Sequence, residues 1–151
     1  MTVLNGRDRA VDVLEDEDLE LRRLFTRLHA TRGGSVAERA EYDDLVVRTL
    51  RHVSAREAAL TEVTRFMSTE GGLRRVASMY LRTGPKRRRL IDRLERMSRG
   101  ARRSELDQGE DFDAGLHELV QLLGTEIEWE LDETLPAIRG VLAGTGRGNE
   151  P

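Results

Sequence analysis

The sequence predicts an all-α fold, an antiparallel up-down-up-down four-helix bundle, from a chain of 151 residues. Three observations carry that prediction. Apolar residues recur at steps of three and four along most of the chain, and no stretch alternates as a strand does. Charged residues are 35% and aromatics 4% of the chain, a balance that suits helices with a large solvated surface better than sheets. The periodic segments are joined by short polar connections, which set successive helices side by side and antiparallel. The length fits one domain with one sizeable core.

The first helix is expected over residues 9–31, ending at "TRGGS". Gly33 and Gly34 suit a helix end, and Ser35 with Glu38 forms a capping-box pattern for the next helix. Helix two is expected from Val36 to Ser68, with Leu45, Val46, Leu50, Val53, Leu60, Val63 and Met67 along it and "TEGG" as its stop. The third region reads as broken. "GGLRRVASMYLR" makes a short helix on Leu73, Val76, Ala77 and Tyr80. Pro85, which lacks an N–H, fits the first turn of a new helix, so the break falls near Gly84-Pro85. Leu90, Ile91, Leu94 and Met97 form the stripe that follows. "SRGARRSELDQGED" is a polar linker. Helix four is expected over residues 112–142, on Leu116, Leu119, Val120, Leu123, Ile127, Leu131, Leu135 and Ile138, with a kink at Pro136. Residues 1–8 are then an N-terminal extension, 9–143 the bundle and 144–151 a Gly-rich disordered tail.

Composition narrows the function classes. The chain has no cysteine, which removes disulfides, thiol catalysis and thiolate metal sites. The start turns acidic early and no apolar run approaches the roughly 20 residues of a membrane span. The expectation is a soluble, bacterial-type cytoplasmic protein with no membrane partner. A net charge of −3 offers no global basic field, so no nucleic-acid partner is expected. Lys86 is the only lysine beside 24 arginines, a bias read as that of a GC-rich genome.

The candidate site lies where apolar stripes are interrupted. In helix one Val11, Leu14, Leu21, Phe25 and Leu28 would form an unbroken stripe if position 18 were apolar, but it is Asp18. In helix two the face Leu45, Thr49, His52, Arg56, Val63 carries a histidine and an arginine one turn apart, flanked by Glu57. In helix four Leu116, Leu119, Leu123, Glu126, Glu130, Ala137 carries two carboxylates. A charge at a stripe's edge can reach water along its own stem. Three helices doing so at one depth point instead to a shared metal site or a mutual salt-bridge cluster, because a buried charge costs several kcal/mol unless paired or metal-bound.

On "VLEDEDLELRRLFTRL", "LRHVSAREAALTEV" and "GTEIEWELDETLPAI" the sequence resembles the hemerythrin-like family of HHE cation-binding proteins, from about Val11 to Leu142. These stretches are similar to the family's Asp-His-x-x-Ile helix opening and to its two His-x-x-x-Glu-Glu helices, the last ending in a Phe-Pro-like pair that is Leu135-Pro136 here. The resemblance implies a four-helix bundle around a non-haem di-iron site with His and carboxylate ligands. Carried over by position, Asp18 stands for the first helix's histidine and His52 keeps the second helix's. Arg56 replaces a ligand glutamate, with Glu57 beside it. The histidine of the third region falls at or near Gly84. Glu126 replaces the fourth helix's histidine, and Glu130 keeps its glutamate.

A guanidinium stays protonated at ordinary pH and repels a divalent ion at a bridging position. Its five N–H donors suit surrounding carboxylates. The expectation is a degenerate site in which Arg56 stands in for the metal among Asp18, Glu126 and Glu130, with His52 completing the network and Glu57 flanking it. No cofactor and no catalysis then follow, and the role is structural, sensory or partner-binding, with an unidentified protein partner, as monomer or homodimer. The alternative turns Arg56 outward and leaves His52, Asp18, Glu126 and Glu130 to hold non-haem iron or another divalent metal, with oxygen binding or activation as a further step. His29 and His117 are expected on the surface, Tyr42 and Trp129 in packing roles, and "KRRR" at 86–89 as a solvated face. No nucleophile-base arrangement can be argued around a single core histidine.

Overall fold

A computed structural model describes residues 6–31, 36–100 and 106–148, with side chains at 6–31, 38–98 and 111–144. The described chain is helical throughout and contains no strand. Helix α1 spans Gly6–Ala30 and α2 spans Val36–Thr69. A single 3-10 turn, Gly71–Leu73, leads into α3, Arg74–Gly100. The last rod is α4, Leu106–Trp129, a π-helical turn, Glu130–Thr134, and α5, Leu135–Gly148. The capping pattern expected at Ser35 lies outside the described residues.

The first two helices fall where periodicity places them, α1 beginning three residues before the expected start. The third does not. It is continuous through Pro85 rather than broken at Gly84-Pro85. Proline deprives the carbonyl four residues back of its donor. That carbonyl belongs to Leu81, whose residue is 62% exposed, so water can replace the lost N–H. The last rod begins six residues before Phe112, inside the expected linker, and runs to Gly148, into the expected tail. Pro136 brings a π turn rather than a simple kink. Within it Leu135 N–H donates to the Glu130 carbonyl, five residues back. That wider turn sits just before the residue whose ring obstructs ordinary α-helical bonding.

The contacts order the helices. Arg27 pairs with Glu41 and Arg56 with Asp18 between α1 and α2. Ser54 bonds Glu95 and Glu57 bonds Arg87 between α2 and α3. Tyr80 reaches Glu130, and Leu94 packs beside Gly115, between α3 and the last rod. In each case the numbers run in opposite senses. Two apolar clusters result. One is built on Leu21, Leu24, Leu50, Leu94, Leu119 and Leu123 among others. The second is built on Val11, Leu14, Leu60, Met67, Leu73 and Ile138 among others. Every rod changes from one cluster to the other across a single polar rung: Asp18 in α1, Arg56 in α2, Arg87 in α3, and Glu126 with Glu130 in the last rod.

No described helix is long and apolar enough to cross a membrane.

Candidate functional site

Arg56 is the centre of that polar layer. Its side chain is 1% exposed, and three acids from two other rods meet it. Nε donates to Asp18 Oδ1 at 3.0 Å. Nη2 donates to Glu126 Oε1 at 2.8 Å and to Glu130 Oε2 at 2.5 Å. Glu126 and Glu130 can share one donor because they lie four residues apart on one helical face. Charge-assisted bonds of this kind are the strong class, and they meet the requirement that a buried ion be paired on every side.

The layer extends further than sequence reasoning foresaw. Arg87, from the stretch read as solvated, has a side chain only 2% exposed. It grips Glu57 with two forks, Nε to Oε2 at 2.6 Å and Nη2 to Oε1 at 3.0 Å. Its Nη1 donates to Glu126 Oε1 and to Thr83 Oγ1, each at 3.2 Å. Glu126 therefore bridges the two arginines. Glu57 serves Arg87 rather than Arg56, and Arg88 approaches it from outside at 3.6 Å. Tyr80, expected only as packing, donates its hydroxyl to Glu130 Oε2 at 2.7 Å. The signal for Arg87 was present: Tyr80, Gly84, Arg87, Ile91 and Leu94 step four-three-four-three along one face. Restarting the helix at Pro85 concealed it.

His52 is not in this layer. Its Nδ1 lies 2.6 Å from Glu17 Oε2, on a side chain 33% exposed between α1 and α2. A carboxylate only accepts, so Nδ1 carries the hydrogen in that bond. The reason is angular: His52 is one turn from Arg56 but on the side of α2 where α1 presents Glu17 rather than Asp18. Gly84, at the position of an expected histidine, is buried, and a Cβ there would meet Arg88 Nη1 at 2.8 Å. The missing side chain leaves room for the Arg88 head on its way to Glu57. His29 and His117 are exposed. Tyr42 and Trp129 pack against the apolar clusters, and Trp129 lies 6.1 Å from the Tyr80 ring.

Burial and neighbours set the protonation of the layer. Asp18 is pushed up to about 9, chiefly by burial, then by the Glu130 charge beside it and the hydrogen bond between the two, while Arg56 works in the opposite direction. At neutral pH the Asp18–Glu130 pair therefore shares a proton. The geometry agrees, because Asp18 Oδ2 and Glu130 Oε1 are both buried without a hydrogen-bond partner, and a proton shared between the two carboxyls supplies a donor. Burial opposes the Arg56 charge, but Glu130 and Glu126 outweigh it and hold the guanidinium more firmly protonated than usual. Tyr80 is raised above its ordinary range, by burial first and by Glu130 second, so its phenol remains a donor.

The layer does not fit a divalent ion. The guanidinium fills the space between the carboxylates that ligands would have to leave open. Among the described residues no group of three or more His, Asp or Glu side chains is placed to hold a metal. Nor do its residues line the surface groove of about 470 Å³ that lies near Arg7, Val11, Val63 and Phe66 at the start of α1. No protein-family model, no curated protein and no solved structure matches the chain.

Proposed function

We propose that this chain is a non-catalytic, hemerythrin-like bundle of up-down-up-down topology whose polar centre is held by its own arginine instead of a di-iron pair. Its role in this reading is structural or partner-binding. The supporting observation is the placement of the Arg56 guanidinium within hydrogen-bonding distance of Asp18, Glu126 and Glu130. These are positions that the family resemblance assigns to metal ligands. A protein-borne cation there satisfies the same carboxylates without an open coordination position, so a small molecule has nowhere to bind and be activated. The antiparallel contacts along each helix pair support the topology.

Metal analysis of the full chain, purified without chelators and then titrated with Fe(II), Mn(II) and Zn(II), tests the reading. The expected result is sub-stoichiometric metal and an unchanged melting temperature. Stoichiometric metal that is lost in Glu130→Gln or His52→Ala overturns it.

A further inference from the structure

The outer faces of α3 and α4 carry opposite charges in matching rows. On α3, Arg75, Arg82, Arg89 and Arg96 recur at heptad spacing, with Lys86 and Arg93 on the same face, all exposed; Asp92, between Arg89 and Arg96, is an acid at the edge of this row. On the neighbouring rod, α4 and its π turn contain neither lysine nor arginine. Asp111, Glu118 and Asp132 line its exposed side. Each row is about 30 Å long at 1.5 Å per residue. The rows flank the same seam, because Lys86 Nζ approaches Glu118 Oε1 at 4.0 Å across it. Arg75, Arg82 and Arg93 form no ion pair among the described residues, and neither do Asp111 and Asp132.

We infer that this α3–α4 face is an interaction surface for a second copy of the chain, joined about a two-fold axis parallel to the seam. Such an axis lays α3 of one copy over α4 of the other, and the reverse, so both rows are matched at once and the contact closes as a dimer. The register follows from the internal pair. Lys86 is level with Glu118, so Arg93, seven residues on, is level with Asp111, seven residues back. Lys86 of one copy then faces Glu118 of the other, Arg89 falls between Glu118 and Asp111, Arg93 faces Asp111, and Arg75 faces the Asp132 end. A nucleic acid or an anionic membrane fits this face less well. Packed helices sit 8–10 Å apart, so the acidic row lies about one Debye length from any phosphate bound to the basic one.

Sedimentation velocity of the full chain in 50 and 500 mM NaCl tests this, with circular dichroism as the folding control. The substitutions are exposed and leave the core intact. The wild type is expected to dimerise at low salt, with the dissociation constant rising about tenfold or more at high salt, as exposed charge pairs are screened. Arg89→Glu/Arg93→Glu and Asp111→Arg/Glu118→Arg should each be monomeric alone and should form a dimer when mixed. A wild type that stays monomeric at 50 mM salt overturns the inference. So does a dimer that both reversals leave intact, or a failure of the mixed variants to associate. Retardation of a double-stranded DNA oligomer by the wild-type monomer, abolished by the α3 reversal, would assign the face to nucleic acid instead.

Discussion

The two apolar clusters and the polar layer between them hold the same four rods together by different means. The clusters work by burial, which is non-directional and tolerates exchange of one aliphatic shape for another of similar volume. The layer works by direction. Asp18 meets Arg56 at Nε, while Glu126 and Glu130 share Nη2. Burial alone would let a helix slide by a turn and still cover its leucines. With Asp18, Arg56, Arg87 and Glu130 on separate rungs, such a slide would strand several buried charges. We infer that the layer fixes register while the clusters supply most of the favourable free energy of folding.

On that division, a substitution in the layer should cost at least as much as one in either cluster. Arg56→Ala leaves Glu130 buried without its cation, while Glu126 keeps Arg87, and should cost about 3–5 kcal/mol, as breaking a buried pair does. Urea denaturation at pH 7 measures it. A cost below about 1 kcal/mol would mean that the side chain is solvated and the layer has no structural role. Leu123→Ala, in the first cluster and fully buried, should cost about 2–5 kcal/mol by lost burial and the cavity left behind. The two losses should differ in their pH dependence more than in size, since only the first touches titrating groups.

Asp18 supplies that pH dependence. Its pKa rises from the ordinary carboxylate value of 3.8 to about 9 on folding. Between those values the native state holds a proton that the unfolded state has released. The stability it contributes is therefore complete below about pH 4 and is lost as pH rises toward 9, by at most about 1.4 kcal/mol per pH unit. Asp18→Asn keeps the acceptor for Arg56 Nε and offers an amide donor to Glu130. It should lie within about 1 kcal/mol of the wild type at pH 5 and exceed it in stability at pH 9. Denaturation curves across that range that run parallel for the two proteins would remove the proton from Asp18. Tyr80→Phe is gentler. It takes one donor from Glu130, which keeps Arg56, and should cost about 1–2 kcal/mol.

Legibility in the sequence follows the same contrast. The clusters could be read almost residue by residue, because burial writes itself as periodicity. Leu14, Leu21, Leu50, Leu60, Leu94, Leu119 and Ile138 all stand where the stripes put them. Part of the layer could be read as interruptions of those stripes, which is how Asp18, Arg56, Glu126 and Glu130 became visible. Arg87 and Tyr80 could not be read that way. A tyrosine does not interrupt an apolar stripe, and an arginine among arginines gives no contrast against its neighbours. Pro85 then split the stripe that would have placed Arg87 inward. Pairing is harder still. That Glu57 answers Arg87 depends on how α3 is rotated against α2, and no pattern within one helix encodes that rotation.

His52 shows where the resemblance and the geometry part, and it is the smallest effect with the sharpest meaning. Its ring sits one turn from Arg56, at the position the family keeps for a metal ligand, yet it bonds Glu17 near the surface. Partly exposed pairs contribute about 0–1 kcal/mol, because water and salt screen them. His52→Gln, which retains a donor for Glu17, should therefore shift the urea midpoint only slightly. It should leave the pH dependence traced to Asp18 unchanged. A loss above about 2 kcal/mol, in the range of a buried network member, would place the imidazole inside the layer. It would also erase the distinction between register-setting rungs and surface pairs, since a side chain one-third exposed would then be acting as a buried one.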